Sequence, residues 1–175
     1  TSRREPSSKR IGTWAPALER KTIGLVARPS GWMICTVTWW WQSLMLEVEP
    51  GPLGIYADGE LLSRLVENLL DNASKFAPTG TLIRVTARAL PGDSLFEVRI
   101  SDQGPGILPE HRERVFERYA QLAAPAEGQV RAGRGLGLTF CRLAAEAHGG
   151  RIFIEENLPR GSVFCVQLPR RASPG

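Results

Sequence analysis

The chain has 175 residues, 42% hydrophobic and 23% charged, with a formal net charge of +4. That length allows one domain with a real core plus tails, without a disulfide or metal staple, and the composition excludes a wholly disordered chain. The charge sits at the ends: residues 1–10 carry a net +3 and Arg170 with Arg171 another +2, leaving −1 between them, whereas a nucleic-acid binder concentrates its charge on the folded surface.

Residues 1–13 are polar and basic and read as a frayed terminus with no secretory leader core. All five tryptophans fall between Trp14 and Trp41. Within that stretch Ile34, Cys35, Thr36, Val37, Thr38 and the tryptophans 39–41 are β-branched and aromatic, which predicts a strand. Residues 44–48 alternate weakly and end at the turn Pro50-Gly51-Pro52. The stretch 32–46 is too short to span a membrane and is broken by Thr36, Thr38, Gln42 and Ser43.

From Asp58 onward the pattern is clear. Asp58 can cap a helix whose apolar stripe is Leu61, Leu62, Leu65, Val66, Leu69, Leu70 and Ala73, ending before Pro78 and Gly80. Residues 81–89 and 94–101 both alternate, with Ile83, Val85 and Ala87, then Phe96, Val98 and Ile100, facing inward. Pro91-Gly92-Asp93 joins them into a hairpin over a one-sided core. A glycine-rich segment follows at 102–106, then a short helix over 109–121 and a small, polar, mobile loop over 122–132. Gly133 to Gly137 opens a last helix that runs to His148 and stops at Gly149-Gly150. Residues 151–155 and 162–168 form a second hairpin. The order predicts an α+β fold: a mostly antiparallel sheet with helices on one face.

Cys35, Cys141 and Cys165 fit no paired spacing and read as reduced thiols, Cys141 and Cys165 within apolar runs. His111 and His148 have no metal-ligand spacing, so zinc is not expected.

Three polar constellations stand out. At about 100° per residue, Asn68, Asn72 and Lys75 lie within about 60° of one another on the first helix. Asparagine is a poor helix former. A carboxamide oxygen suits Mg²⁺ and an ammonium suits phosphate, so this face reads either as a ligand surface or as a solvated stripe. Asp102-Gln103-Gly104-Pro105-Gly106 closes a strand. It reads either as an Asx turn or as a backbone shaped for close approach to a flat ligand, with Asp102 accepting from an exocyclic amine. Gly133-Arg134-Gly135-Leu136-Gly137-Leu138 leads into a helix and can present free N–H groups to an anion. It is neither the Rossmann fingerprint nor a Walker A loop.

Together, and in this order, the three resemble the boxes of bacterial sensor histidine kinases. Asn68-Leu69-Leu70-Asp71-Asn72-Ala73-Ser74-Lys75-Phe76 resembles the N box. Asp102-Gln103-Gly104-Pro105-Gly106-Ile107 resembles the G1 box, Val115-Phe116-Glu117-Arg118-Tyr119 the F box, and residues 133–138 the G2 box. The likeness runs from about residue 56 to 169 and extends to the wider superfamily of gyrase, heat-shock chaperone and mismatch-repair ATPases. Those carry Glu where Asn68 stands, so the kinase branch fits better.

The resemblance implies a two-layer α/β sandwich over residues 14–169, with a tail at 170–175, holding Mg·ATP between helices and sheet. On that implication Asp102 binds the adenine amino group, Gly106 lets the base approach, and Gly104 and Ile107 are further nucleotide-binding residues. Asn72 ligates Mg²⁺, and Asn68 sits near the phosphates. Lys75 contacts phosphate, Phe76 flanks the nucleoside, and Gly133, Arg134, Gly135, Leu136 and Gly137 cradle the phosphates. Asn68 and Lys75 are the expected catalytic pair. Residues 108–132 form an ATP lid anchored at Phe116.

The implied partners are a histidine-bearing dimerisation domain and a response regulator. No nucleic acid and no membrane contact are expected of this cytoplasmic, monomeric fragment of a protein that can itself be membrane-anchored. Departures from the pattern are the lack of a preceding acceptor hairpin, Arg134 where a small hydroxyl residue is common, and the tryptophan-rich segment. The rival readings are an anti-sigma-type serine kinase, which shares the nucleotide site, and a degenerate ATP-binding scaffold.

Overall fold

A computed structural model of the chain describes residues 22–27, 33–38, 42–48, 55, 57–92, 94–120 and 135–170. All five tryptophans, the basic N-terminus and the expected loop over 122–132 lie outside the described residues. Seven strands form one sheet: β1 (Thr22–Ala27), β2 (Met33–Thr38), β3 (Ser43–Val48), β4 (Leu82–Ala89), β5 (Leu95–Ser101), β6 (Arg151–Glu156) and β7 (Ser162–Pro169), in the order β1-β2-β3-β4-β5-β7-β6. Only β3 and β4 run parallel, joined through helix α1 (Gly59–Phe76); every other neighbouring pair is antiparallel. The expected mostly antiparallel sheet is present, extended by β1, which the sequence did not signal.

Helix α1 starts where Asp58 caps it, its carboxylate accepting from the N–H groups of Glu60 and Leu61 at 2.8 and 3.0 Å. Its stripe buries Leu65, Leu69 and Ala73. Helix α2 (Gly137–Ala147) buries Cys141, Ala144 and Ala145 beside them. Both lie on the sheet face built from Ile83, Val85, Ile100, Ile152, Ile154, Phe164, Val166 and Leu168. Each fully buried leucine contributes roughly 1.5–3 kcal/mol. Helix α2 ends in a Schellman arrangement, with Gly150 N–H donating to Ala145 O and Gly149 N–H to Glu146 O.

Two expectations need correction. The helix expected over 109–121 is not one helix in its described part, residues 109–120. They make two 3₁₀ turns, Pro109–His111 and Arg114–Phe116, and then Tyr119 enters the left-handed region at φ 63°. Only Val115 and Phe116 are buried there, too few to stabilise a helical face.

The other correction concerns the hairpin of residues 81–101, expected to cover a one-sided core. In the sheet, Glu97, Cys165 and Gln167 on the opposite face are buried as well, Glu97 to 3% exposure. Arg88, Glu97, Gln167 and Arg151 sit in register across β4, β5, β7 and β6 and hydrogen-bond as one row. Burial pushes the Glu97 carboxyl up. Hydrogen bonds from Gln167 and Arg88, and the charges of Arg88 and Arg99, outweigh it and hold the group below its ordinary value.

Candidate functional site

Two segments far apart in sequence come to the C-terminal half of α1: the start of α2 against Asn68, and the loop after β5 against Phe76. Asn68 and Asn72 are half-buried on α1, and Phe76 is half-exposed at its end. Lys75 pairs with Asp71 one turn back, both side chains exposed to solvent. Asn68 donates from Nδ2 to Arg64 O at 2.7 Å, which turns its oxygen toward α2. A methyl group on Gly137 would come within 2.8 Å of that oxygen, so the first residue of α2 seats directly against Asn68. Among the described residues no side chain caps the start of helix α2, and first-turn N–H groups of a helix are natural donors to an anion.

The segment after β5 reaches the same half of α1, at Phe76. Asp102 is 4% exposed. Its Oδ1 accepts from Gly104 N–H at 2.7 Å, and Gly104 lies so close to Phe76 O that a methyl group there would meet it at 2.9 Å. Burial pushes the Asp102 carboxyl above the usual carboxylate range, while backbone N–H groups of Gly104 and Ser162 pull it back. The turn between β6 and β7 supports this loop. Asp102 N–H donates to Ser162 O at 3.0 Å, and Asn157 Nδ2 donates to Asp102 O at 2.6 Å. Gly161 has φ 122°, and a methyl group there would overlap Asp102 O at 1.9 Å, so only glycine allows the approach. Gly106 (φ 81°) and the partly buried Ile107 continue the loop beside this turn.

Phe116 is 2% exposed, and the Arg142 guanidinium lies 4.7 Å from its ring centre while bonding Glu113 Oε2 at 2.7 Å. Tyr119 N–H donates to Gly135 O at 3.1 Å, joining the two flanks of residues 121–134. Of the expected phosphate cradle, Gly135, Leu136 and Gly137 are placed at the start of α2; Gly133 and Arg134 lie outside the described residues. The structure therefore brings Asn68 to Gly137 and Asp102 to the end of α1. Asn157 and Arg142 are supports the sequence reading missed, whereas Tyr119 belongs to the segment read as the F box. Asn157 sits in a hairpin turn, where asparagine is common for local reasons, and nothing in the sequence signals its reach to Asp102.

Among the described residues no group of three or more His, Cys, Asp or Glu side chains is placed to hold a metal ion. A Mg²⁺ ion carried on phosphates needs only one or two protein oxygens besides phosphates and water. Asn72 can supply one. Among the described residues no helix is long and apolar enough to cross a membrane.

Residues 57–172 match the family described as "Histidine kinase-, DNA gyrase B-, and HSP90-like ATPase". Histidine protein kinase DivJ of Caulobacter vibrioides is 42% identical over 125 residues, 71% of this chain and 20% of DivJ. The signal transduction histidine-protein kinase/phosphatase MprB of Mycolicibacterium paratuberculosis is 39% identical over 137 residues, 76% of this chain and 26% of MprB. The solved mycobacterial sensor histidine kinase MprB superposes with a TM-score of 0.58 at 32% identity, covering 68% of this chain and 76% of that one. Full-length ShkA in complex with AMPPNP gives 0.59 at 26% identity, covering 77% and 27%. The chain thus spans a fifth to about a quarter of the length of the curated relatives DivJ and MprB.

Proposed function

The chain belongs to the histidine kinase-, DNA gyrase B- and HSP90-like ATPases, and from that premise we propose that it binds Mg·ATP and donates the γ-phosphoryl group to a histidine on a dimerisation domain in two-component signalling. The observation that carries this reading is that the C-terminal half of α1 carries both the Asn68–Gly137 contact and, at Phe76, the loop of the buried Asp102. Asp102 spends Oδ1 on Gly104 N–H. Its other oxygen is then an acceptor for the adenine amino group. That hydrogen bond stabilises the ionised carboxylate and offsets its desolvation.

The phosphates lie toward α2, where the first-turn N–H groups face them and Gly137 lets the chain approach. Asn68 orients the phosphate end. Lys75 exchanges Asp71 for a phosphate oxygen, a swap between exposed partners that costs little. Phe76, half-exposed at the end of α1, flanks the nucleoside. Asn72 holds Mg²⁺, which when bound neutralises charge on the phosphate oxygens. Residues 108–120 close over the nucleotide about the buried Phe116. The acceptor histidine belongs to the dimerisation domain, and the response regulator takes the phosphoryl group next, in the cytoplasm.

The test is twofold. Calorimetry should detect ATP binding that strengthens with Mg²⁺. Incubation with γ-labelled ATP and a supplied dimerisation domain should give acid-labile label on that domain. Acid-stable label on a supplied serine substrate would instead favour the anti-sigma type of kinase, and binding without any transfer would favour a scaffold.

A further inference from the structure

We propose that Asn157, in the turn between β6 and β7, is a positioning residue that sets the specificity of this site for a 6-amino purine by fixing the Asp102 peptide. The inference rests on the ATP reading above and extends it to a side chain outside the four boxes. The Asp102 side chain projects from a peptide held on both sides by the same turn. Its N–H donates to Ser162 O at 3.0 Å, and its C=O accepts from Asn157 Nδ2 at 2.6 Å. Asn157 is itself fixed, its N–H donating to Gly161 O at 3.1 Å. Gly161 packs so tightly on Asp102 O that no side chain fits between them.

The β6–β7 turn therefore works as a seat for the loop after β5, and Asn157 is its side-chain bond to that loop. A bound base reads the direction of one carboxylate oxygen. Small rotations of the Asp102 peptide move that oxygen out of line with the amine, and hydrogen bonds weaken steeply when bent. The backbone bonds of the strand ladder hold the register of the turn without Asn157. Its loss should loosen recognition rather than unfold the domain.

The experiment uses the 175-residue chain, comparing ATP with inosine triphosphate, which carries an oxygen where ATP carries the amine. Wild type should prefer ATP by at least about tenfold. Asn157→Asp keeps the shape but removes the donor, and Asn157→Ala removes it without adding charge. In both, ATP affinity should fall by roughly tenfold while inosine triphosphate affinity changes little, so that the preference collapses to within about threefold. Equal losses for both nucleotides, unchanged ATP affinity, or unfolding of both variants without nucleotide would overturn the inference. A wild type that binds neither nucleotide, or both equally, would instead sink the ATP reading itself before any variant is measured.

Discussion

His148 Nε2 accepts the backbone N–H of Asp58 at 2.9 Å, tying the end of α2 to the start of α1 across 90 residues. The other ring nitrogen, Nδ1, lies 2.6 Å from Ala144 O. A ring that accepts at Nε2 and donates at Nδ1 is the neutral Nδ1–H tautomer. Asp58 is also the N-cap, its carboxylate accepting from Glu60 and Leu61 N–H. One histidine thus braces both helices of the layer that carries the site.

Replacing His148 with alanine should lower stability by about 0.5–1.5 kcal/mol, the net worth of an intramolecular hydrogen bond whose exposed N–H water can take over. Urea denaturation reads the loss. ATP affinity of the folded fraction should stay within about twofold, because the brace lies at the opposite end of α1 from Phe76. Large loss of binding at unchanged stability would contradict a bracing role.

The fold was legible where periodicity and capping agree. Asp58 marks the start of α1, and the stripe through Leu65, Leu69 and Ala73 marks its buried face. The alternation through Ile83, Val85 and Ile100 gives the β4–β5 hairpin. What was not legible is non-local. Glu97 falls on the phase of the strand opposite Phe96, Val98 and Ile100, where nothing in the sequence signals burial, yet Arg88 and Gln167 pair it from neighbouring strands into a buried row. The helix expected over 109–121 failed although Val115, Phe116, Tyr119 and Ala120 recur at helical spacing: only Val115 and Phe116 are buried, and Tyr119 turns into the left-handed region. In the site, the boxes announce Asn68, Asp102 and Gly137, but Asn157 and Arg142 act through contacts that only the folded chain creates.

Gly137→Ala separates stability from binding. The position is helical, and alanine is the better helix former by about 1 kcal/mol. Its methyl group would nevertheless come within 2.8 Å of Asn68 Oδ1 and push that amide aside. The variant should melt at the same temperature or higher and bind ATP at least about tenfold more weakly. Unchanged affinity would show that Asn68 does not help to position the phosphates.

Asp102→Asn should act oppositely on fold and function. Burial raises the Asp102 carboxyl pKa, with Gly104 and Ser162 opposing it. An acid whose folded-state pKa is raised contributes full stability below its unfolded pKa and loses part of it as pH rises through the folded value. The amide keeps an acceptor for Gly104 N–H and carries no charge to desolvate. Without nucleotide the variant should therefore melt higher than wild type at pH 7, with the gap closing as pH falls toward 4. Its ATP affinity should drop roughly a hundredfold, since an amide can turn its donor toward the adenine amine. Equal ATP affinity in calorimetry would refute the adenine contact.

The chain alone should neither phosphorylate itself nor hydrolyse ATP at an appreciable rate. Its two histidines are His111 and His148. His148 has Nε2 occupied by Asp58 N–H and Nδ1 by Ala144 O, so neither nitrogen offers a free lone pair to phosphorus. His111 lies in the first 3₁₀ turn, held by its N–H donating to Leu108 O, within the segment proposed to close over the nucleotide. An attacking nitrogen must approach the γ-phosphorus in line with the leaving oxygen, and a group in the covering segment does not stand opposite the leaving group. Hydrolysis would need a group that orients water. Asn68 offers an amide rather than a carboxylate, and its Nδ2 is bonded to Arg64 O. The neighbouring Glu67 is exposed and about 100° around the helix from Asn68. Incubation with γ-labelled ATP should therefore leave this chain unlabelled and release little free phosphate, while a supplied dimerisation domain becomes labelled. Acid-labile label on the chain by itself would show that one of these histidines leaves its bonds to reach the phosphate, and would overturn the assignment of the acceptor to a separate domain.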